Sequence, residues 1–89
     1  MNAGSGWTFD RERLAQALAI WHGTQPSQHE RELVHDWLMD LVIDPLGKGR
    51  PDQSQPEIFY GRVAGTNVGI LYVVNADTRQ IYVALISPP

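Results

Sequence analysis

Lys48 and Arg50 flank Gly49 in a proline-rich stretch, and Arg62 lies on the first of the strand-like segments that follow. Three cations able to face a common groove would gather around one phosphate, and they form the basic cluster of this chain. Gly47-Lys48-Gly49-Arg50 lacks the spacing and the Lys-Ser/Thr ending of a phosphate-binding loop, so the segment reads as a flexible charged loop. Tyr60, Tyr72, Tyr82 and Phe59 lie on the same strand-like segments. They would offer stacking faces to bases, yet aromatics on strands are first of all good sheet packers. Tyr72 and Phe59 are assigned to the core.

The remaining chemistry-bearing residues point less clearly. His29 to His35 resembles a zincin helix in composition, but that motif needs its histidines four apart on one face and these are six apart. His22, His29 and His35 therefore read as surface or boundary residues, and neither a metal nor a cofactor is expected. Glu32, Asp36, Asp40 and Asp44 recur every four residues as a column of like charge. Such pairs mildly oppose a helix. The column is either a solvated face or a docking strip for a basic partner, and an exposed helix face provides no desolvation to tune a carboxylate for acid–base work.

These residues are carried by 89 amino acids, 43% of them apolar, enough for one small domain. The absence of cysteine excludes a disulfide framework, a thiolate metal site and a cysteine nucleophile. Seven Lys plus Arg against ten Asp plus Glu give a net charge of −3, so attraction to nucleic acid would depend on a local patch. No apolar run approaches the roughly 20 residues of a membrane span, and residues 1–6 have the look of a flexible leader with no signal-peptide character. Cytoplasmic residence is the default expectation, with residues 7–89 as the single domain.

Leu14, Leu18 and Trp21 fall at helical spacing within Phe9 to His22, with Thr8 or Asp10 as cap and Gly23 as a left-handed terminator. Ser27 and Glu30 fit a capping box. The stripe Leu33, Val34, Trp37, Leu38, Leu41, Val42 then predicts a second helix from about Gln28 to Ile43, ended by Pro45. Asp44 to Glu57 holds three prolines and two glycines and reads as loop. Ile58 to Ala64, Val68 to Asn75 and Gln80 to Ile86 are rich in Val, Ile and Tyr and predict three antiparallel strands in a meander. The expected fold class is α+β, a helical hairpin packed on this sheet, with Leu14, Leu18, Trp21, Leu33, Trp37, Leu38, Leu41, Ile70, Tyr72 and Val83 in the core. Because Leu71 and Val73 oppose Ile70, Tyr72 and Val74 on the middle strand, both sheet faces are apolar and two helices cover only one.

Asp44-Pro45, Gly47, Arg50-Pro51-Asp52, Tyr60-Gly61-Arg62-Val63, Gly69-Ile70-Leu71-Tyr72-Val73-Val74 and Ile81-Tyr82-Val83-Ala84-Leu85-Ile86 occur in that order. In these motifs and in the order of its elements the chain resembles the RelE/ParE toxin superfamily over about residues 11 to 86. The resemblance implies a toxin of a bacterial toxin–antitoxin pair, silenced by a bound antitoxin protein, with the ribosome and messenger RNA as the target of the RelE branch and DNA gyrase as that of the ParE branch. The Gly-Arg-Pro-Asp loop is similar to the ParE branch, while the separation of Pro45 from Tyr72 also fits RelE.

Three departures bear on the activity. RelE-like enzymes place an arginine three residues before the strand tyrosine, where this chain has Gly69. They carry basic and Tyr or His residues after the last strand, where this chain reads Ser87-Pro88-Pro89, and they open with an edge strand, for which Trp7-Thr8-Phe9 stands in. Cleavage of RNA at the ribose 2′-hydroxyl needs a base and several cations around one phosphate. Lys48, Arg50, Arg62 and Arg79 provide cations without an evident base, and they are the candidate target-binding or nucleic-acid-binding residues. The expectation is a toxin-like protein that works by binding; the alternatives are a ribosome-dependent interferase and a non-toxic interaction module. An antitoxin whose extended or helical segment covers the free sheet face or pairs with a strand edge, or a homodimer serving the same need, is the expected partner.

Overall fold

The computed structural model describes residues 6–87, so the leader expected at residues 1–6 falls outside them except for Gly6. The elements are β1 (Thr8–Phe9), α1 (Arg11–His22), α2 (Gln28–Leu41), α3 (Pro45–Lys48), β2 (Arg50–Pro51), β3 (Ile58–Arg62), β4 (Gly69–Asn75) and β5 (Gln80–Ser87). The class is α+β. The predicted meander is present as β3-β4-β5, but the sheet is five-stranded and mixed, in the order β1-β5-β4-β3-β2. Both added strands are two residues long, too short for an alternation pattern to announce them. β1 runs parallel to β5 and β2 antiparallel to β3. Among the described residues no helix is long and apolar enough to cross a membrane.

Local chemistry sets each boundary. Phe9 was expected in the first helix, but Thr8 N–H donates to the Arg79 carbonyl and Asp10 N–H to that of Ile81, which holds Phe9 in β1. α1 starts only at Arg11, where the Asp10 side chain accepts from Arg13 N–H. Gly23 is right-handed, with φ −63°, not the left-handed terminator expected. The helix unwinds through a turn in which Gln25 N–H bonds the His22 carbonyl, and Gln25 takes the positive φ instead. α2 opens on the complete Ser27–Glu30 capping box. It ends at Leu41, two residues before the predicted limit, because the Ile43 amide tightens onto Asp40 ahead of Pro45. The expected loop from Asp44 to Glu57 contains both α3 and β2, a correction that matters for the site.

The core gathers Trp21, Val34, Trp37, Leu38 and Leu41 from the helices against Phe59, Ile70, Tyr72, Val74, Ile81, Val83 and Ile86 from the sheet. Leu14, Leu18 and Leu33, placed in the core by the sequence pattern, are only partly buried and pack against it. On β5 the buried positions are Ile81, Val83 and Ile86, a break in strict alternation. Tyr72 pairs with Val83 but Leu71 with Leu85, so Ala84 is an extra residue in a bulge that returns Ile86 to the core side.

Trp37 fixes α2 to the sheet. Its indole lies so close to the backbone at Gly61 that a β-carbon there would overlap the ring, and it meets the Tyr72 ring edge-on at 6.1 Å. Glycine inside a strand is the usual mark of such a close approach. Trp37→Ala should lower the unfolding free energy by about 3–5 kcal/mol, a large part of the roughly 5–15 kcal/mol of a small domain. Gly61→Ala should cost about 1–3 kcal/mol by overpacking the same contact. Denaturant titration of both variants checks this, and a Gly61→Ala chain as stable as the parent would contradict the packing described.

Candidate functional site

After α2 the chain is turned back on itself by α3. Asp44 caps this single turn, its side chain accepting from Gly47 N–H at 3.2 Å, and Pro45 occupies the first helical position, where its missing N–H costs nothing. The turn leaves Gly49 extended and delivers Arg50 to β2, opposite Tyr60. Gly47, Lys48, Gly49, Arg50, Tyr60, Gly61 and Arg62 thereby line one open groove of about 550 Å³. Lys48, Arg50 and Arg62, singled out in the sequence, are brought together here.

Their electrostatic states differ. Lys48 is half-buried, pairs with Asp40 at 3.5 Å and lies over the Trp37 ring at 5.5 Å. Arg50 and Arg62 are exposed and have no ion-pair partner among the described residues. The uncommitted positive charge of the groove is therefore theirs. Two of the lining residues are glycines because their neighbours leave no space. A β-carbon at Gly47 would run into the Asp44 carboxylate, and one at Gly49 would come within 2.6 Å of the Tyr72 hydroxyl.

Tyr72 holds this turn in place. Its buried hydroxyl donates to the Pro45 carbonyl at 3.0 Å, tying α3 to the middle of the sheet. Its ring stacks on Phe59 with centroids 5.4 Å apart. Burial pushes the phenol up to about 12; a backbone hydrogen bond from Gly49 pulls the other way, and the Asp44 charge adds to the rise. Tyr72 is thus a neutral structural donor and not a base for the groove.

Gly69, the position at which the family resemblance calls for arginine, is also accounted for by contact. The Tyr60 ring lies over it so closely that any β-carbon would overlap the hydroxyl end of the ring. Tyr60 and Arg62 face away from Trp37, since Phe59 and Gly61 occupy the alternate positions turned toward the core. On that outer face Tyr60, Leu71 and Leu85 are register partners across three strands. Tyr60 is 49% and Leu85 46% exposed.

Arg79, the fourth candidate, is elsewhere. It sits beside the β4–β5 turn, next to Gln80, the partner of Asn75, whereas Arg62 pairs with Gly69 at the opposite end of β4. The two levels are six residue steps apart along β4, roughly 20 Å, and the Arg79 guanidinium lies over the Trp7 ring at 5.4 Å. His22, His29 and His35 are exposed, and the described residues contain no cluster able to hold a metal ion. The acidic column is divided among local tasks: Glu32 accepts from Gln28, Asp36 lies 3.6 Å from His35, Asp40 meets Lys48 and Asp44 caps α3.

No family model matches the chain, and no curated protein or solved structure matches it significantly. The site is read from its own geometry. Sequence reasoning placed the three cations but missed the glycines and the tyrosine that shape the groove. The signals were there to be used: a tyrosine in an otherwise apolar buried strand requires a polar partner for its hydroxyl, and glycines within strands mark close approaches.

The Tyr72 tie predicts an alkaline limit to stability. In the unfolded chain the phenol ionises near pH 10, whereas in the fold it keeps its proton up to about pH 12. The contribution is complete below pH 10 and is lost as pH rises toward 12, at up to about 1.4 kcal/mol per pH unit. Tyr72→Phe should cost about 1 kcal/mol at neutral pH by leaving the Pro45 carbonyl unpaired, and should flatten the decline. Urea unfolding at pH 7 to 11 measures both; an equally steep decline in Tyr72→Phe would rule Tyr72 out as its source.

Proposed function

We propose that this protein is a RelE/ParE-like toxin component that acts in the bacterial cytoplasm by binding a protein target such as DNA gyrase, and that an antitoxin protein holds it silent. The observation carrying this reading is the outer face of the sheet, where Tyr60, Leu71 and Leu85 form an apolar row beside uncommitted Arg50 and Arg62. Apolar residues with an arginine rim are the usual composition of a protein-binding surface. Gly69 supports binding over catalysis, since the Tyr60 ring occupies the space an arginine would use.

A ribosome-dependent interferase is the second reading, favoured by the convergence of Lys48, Arg50 and Arg62 on one groove. Against it, the lining offers no carboxylate or imidazole, and Lys48 is engaged by Asp40. Losing one preorganised charge contact at a transition state costs roughly two to three orders of magnitude in rate. The purified chain is therefore expected to leave RNA intact above background, with or without ribosomes. Induced expression in a bacterial host, with growth, DNA supercoiling and messenger integrity followed together, separates the readings. Growth arrest with DNA damage and intact messages is the expected result. Cut messages abolished by Arg62→Ala would replace it with the interferase, and unimpaired growth would leave a non-toxic interaction module.

A further inference from the structure

The edge of the sheet next to the groove is incompletely covered. β2 pairs with β3 only through Arg50 opposite Tyr60 and Pro51 opposite Phe59, and beyond Gly49 the chain is diverted into α3. The hydrogen-bonding direction along β3 follows from two flanking bonds. Val63 N–H donates to the Val68 carbonyl at 2.9 Å, so odd-numbered residues address β4, and Asp52 N–H donates to the Ile58 carbonyl at 2.7 Å, so even-numbered residues address the β2 side. Arg62 continues the even series where β2 no longer reaches. Its main-chain N–H and C=O are turned toward the groove, to which Gly47 and Gly49 contribute no side chains.

We propose that the β3 edge at Gly61–Arg62 is a docking site for an extended, acidic segment of a partner protein, which adds to the sheet in line with β2 and sets carboxylates against Arg50 and Arg62. This deepens the protein-binding reading above and rests on it. A polypeptide strand supplies both a donor and an acceptor to Arg62, about 4.8 Å from β3. A phosphate chain supplies acceptors only. Charge complementarity selects the side chains, because Arg50 and Arg62 flank the vacant stretch without ionic partners among the described residues. The same two arginines argue against a second copy at this edge, since edge-to-edge pairing would bring four like charges together. The chain as a whole is at −3, so attraction is confined to this locality and discriminates against a long polyanion.

The test uses the full-length ¹⁵N-labelled protein and three probes: the capped peptide Val-Glu-Val-Glu-Val-Glu-Val, its counterpart with lysine for glutamate, and a single-stranded octamer of uridylate. The glutamate peptide is expected to shift the amide signals of Gly49, Gly61 and Arg62 and to slow hydrogen exchange at Arg62. Its affinity should drop about tenfold or more in Arg50→Glu and in Arg62→Glu, and should be largely kept in Arg62→Lys, which retains the charge. Spectral dispersion shows that each variant is folded. Equal binding of the lysine peptide, shifts confined to Tyr60, Leu71 and Leu85, no response at millimolar peptide, or tighter binding of the RNA would each overturn the proposal. A peptide response without growth arrest on expression would remove the toxin reading and leave the edge site standing. Arrest without a peptide response would do the reverse.

Discussion

The hydrogen bond from the Tyr72 hydroxyl to the Pro45 carbonyl joins residues 27 positions apart and sets the geometry of everything around the groove. A phenol at the centre of a sheet must find an acceptor or lose its hydration without return. Here the acceptor is supplied by the first residue of α3, whose carbonyl is delivered by the fixed backbone of a proline. Packing enforces the arrangement from two sides, with Phe59 stacked on one face of the ring and Trp37 edge-on to it. The middle of the sheet, the end of the helical layer and the start of the loop therefore meet at one side chain.

The glycines follow from this meeting. Gly49 passes directly over the Tyr72 hydroxyl, Gly61 lies under the Trp37 indole, and Gly69 lies under the Tyr60 ring. In each case an aromatic group occupies the volume in which another residue would carry its side chain. Two of the contacts, at Gly61 and Gly49, press the α2–α3 layer onto the sheet. The third lays an exposed tyrosine flat on the opposite face. Backbone exposed in a groove and aromatic surface held in a defined orientation are thus produced by the same substitution of glycine for bulk.

Much of the fold was legible because it is written in periodicity and capping. Ser27 and Glu30 announced α2, and Ile70, Tyr72 and Val74 announced the buried face of β4. What escaped was set by contacts distant in sequence. β2 reads as loop, and β1 is suggested only by the resemblance, at Trp7-Thr8-Phe9, while periodicity puts Phe9 in the first helix. Each is two residues long and exists because β3 or β5 presents an edge to it. The bulge at Ala84 is invisible in a Val-Ile alternation that looks continuous. Lys48, Arg50 and Arg62 were recognisable as a cationic set by composition and order. That Lys48 is partly neutralised by Asp40, and that Arg79 lies at the other end of the sheet, depends on where α3 and the β4–β5 turn fall in space.

The diversion of the chain into α3 links stability to exposure. Had residues 45 to 48 continued β2 backwards in register, Lys48 would stand opposite Arg62 and the β3 edge would be covered, but two cations would then face each other across a strand pair. The Tyr72 hydroxyl would also lose its acceptor at Pro45. The observed turn removes both problems. Lys48 moves to Asp40 and the Trp37 face, and the phenol gains its partner. The cost is an uncovered stretch of strand edge beside two guanidinium groups that have no ionic partner among the described residues. An edge of that kind is ordinarily blunted by short strands, proline or charge, and here Pro51 and Arg50 blunt the part that β2 covers while Arg62 alone guards the rest. The open site is therefore a direct consequence of how the core satisfies the Tyr72 hydroxyl.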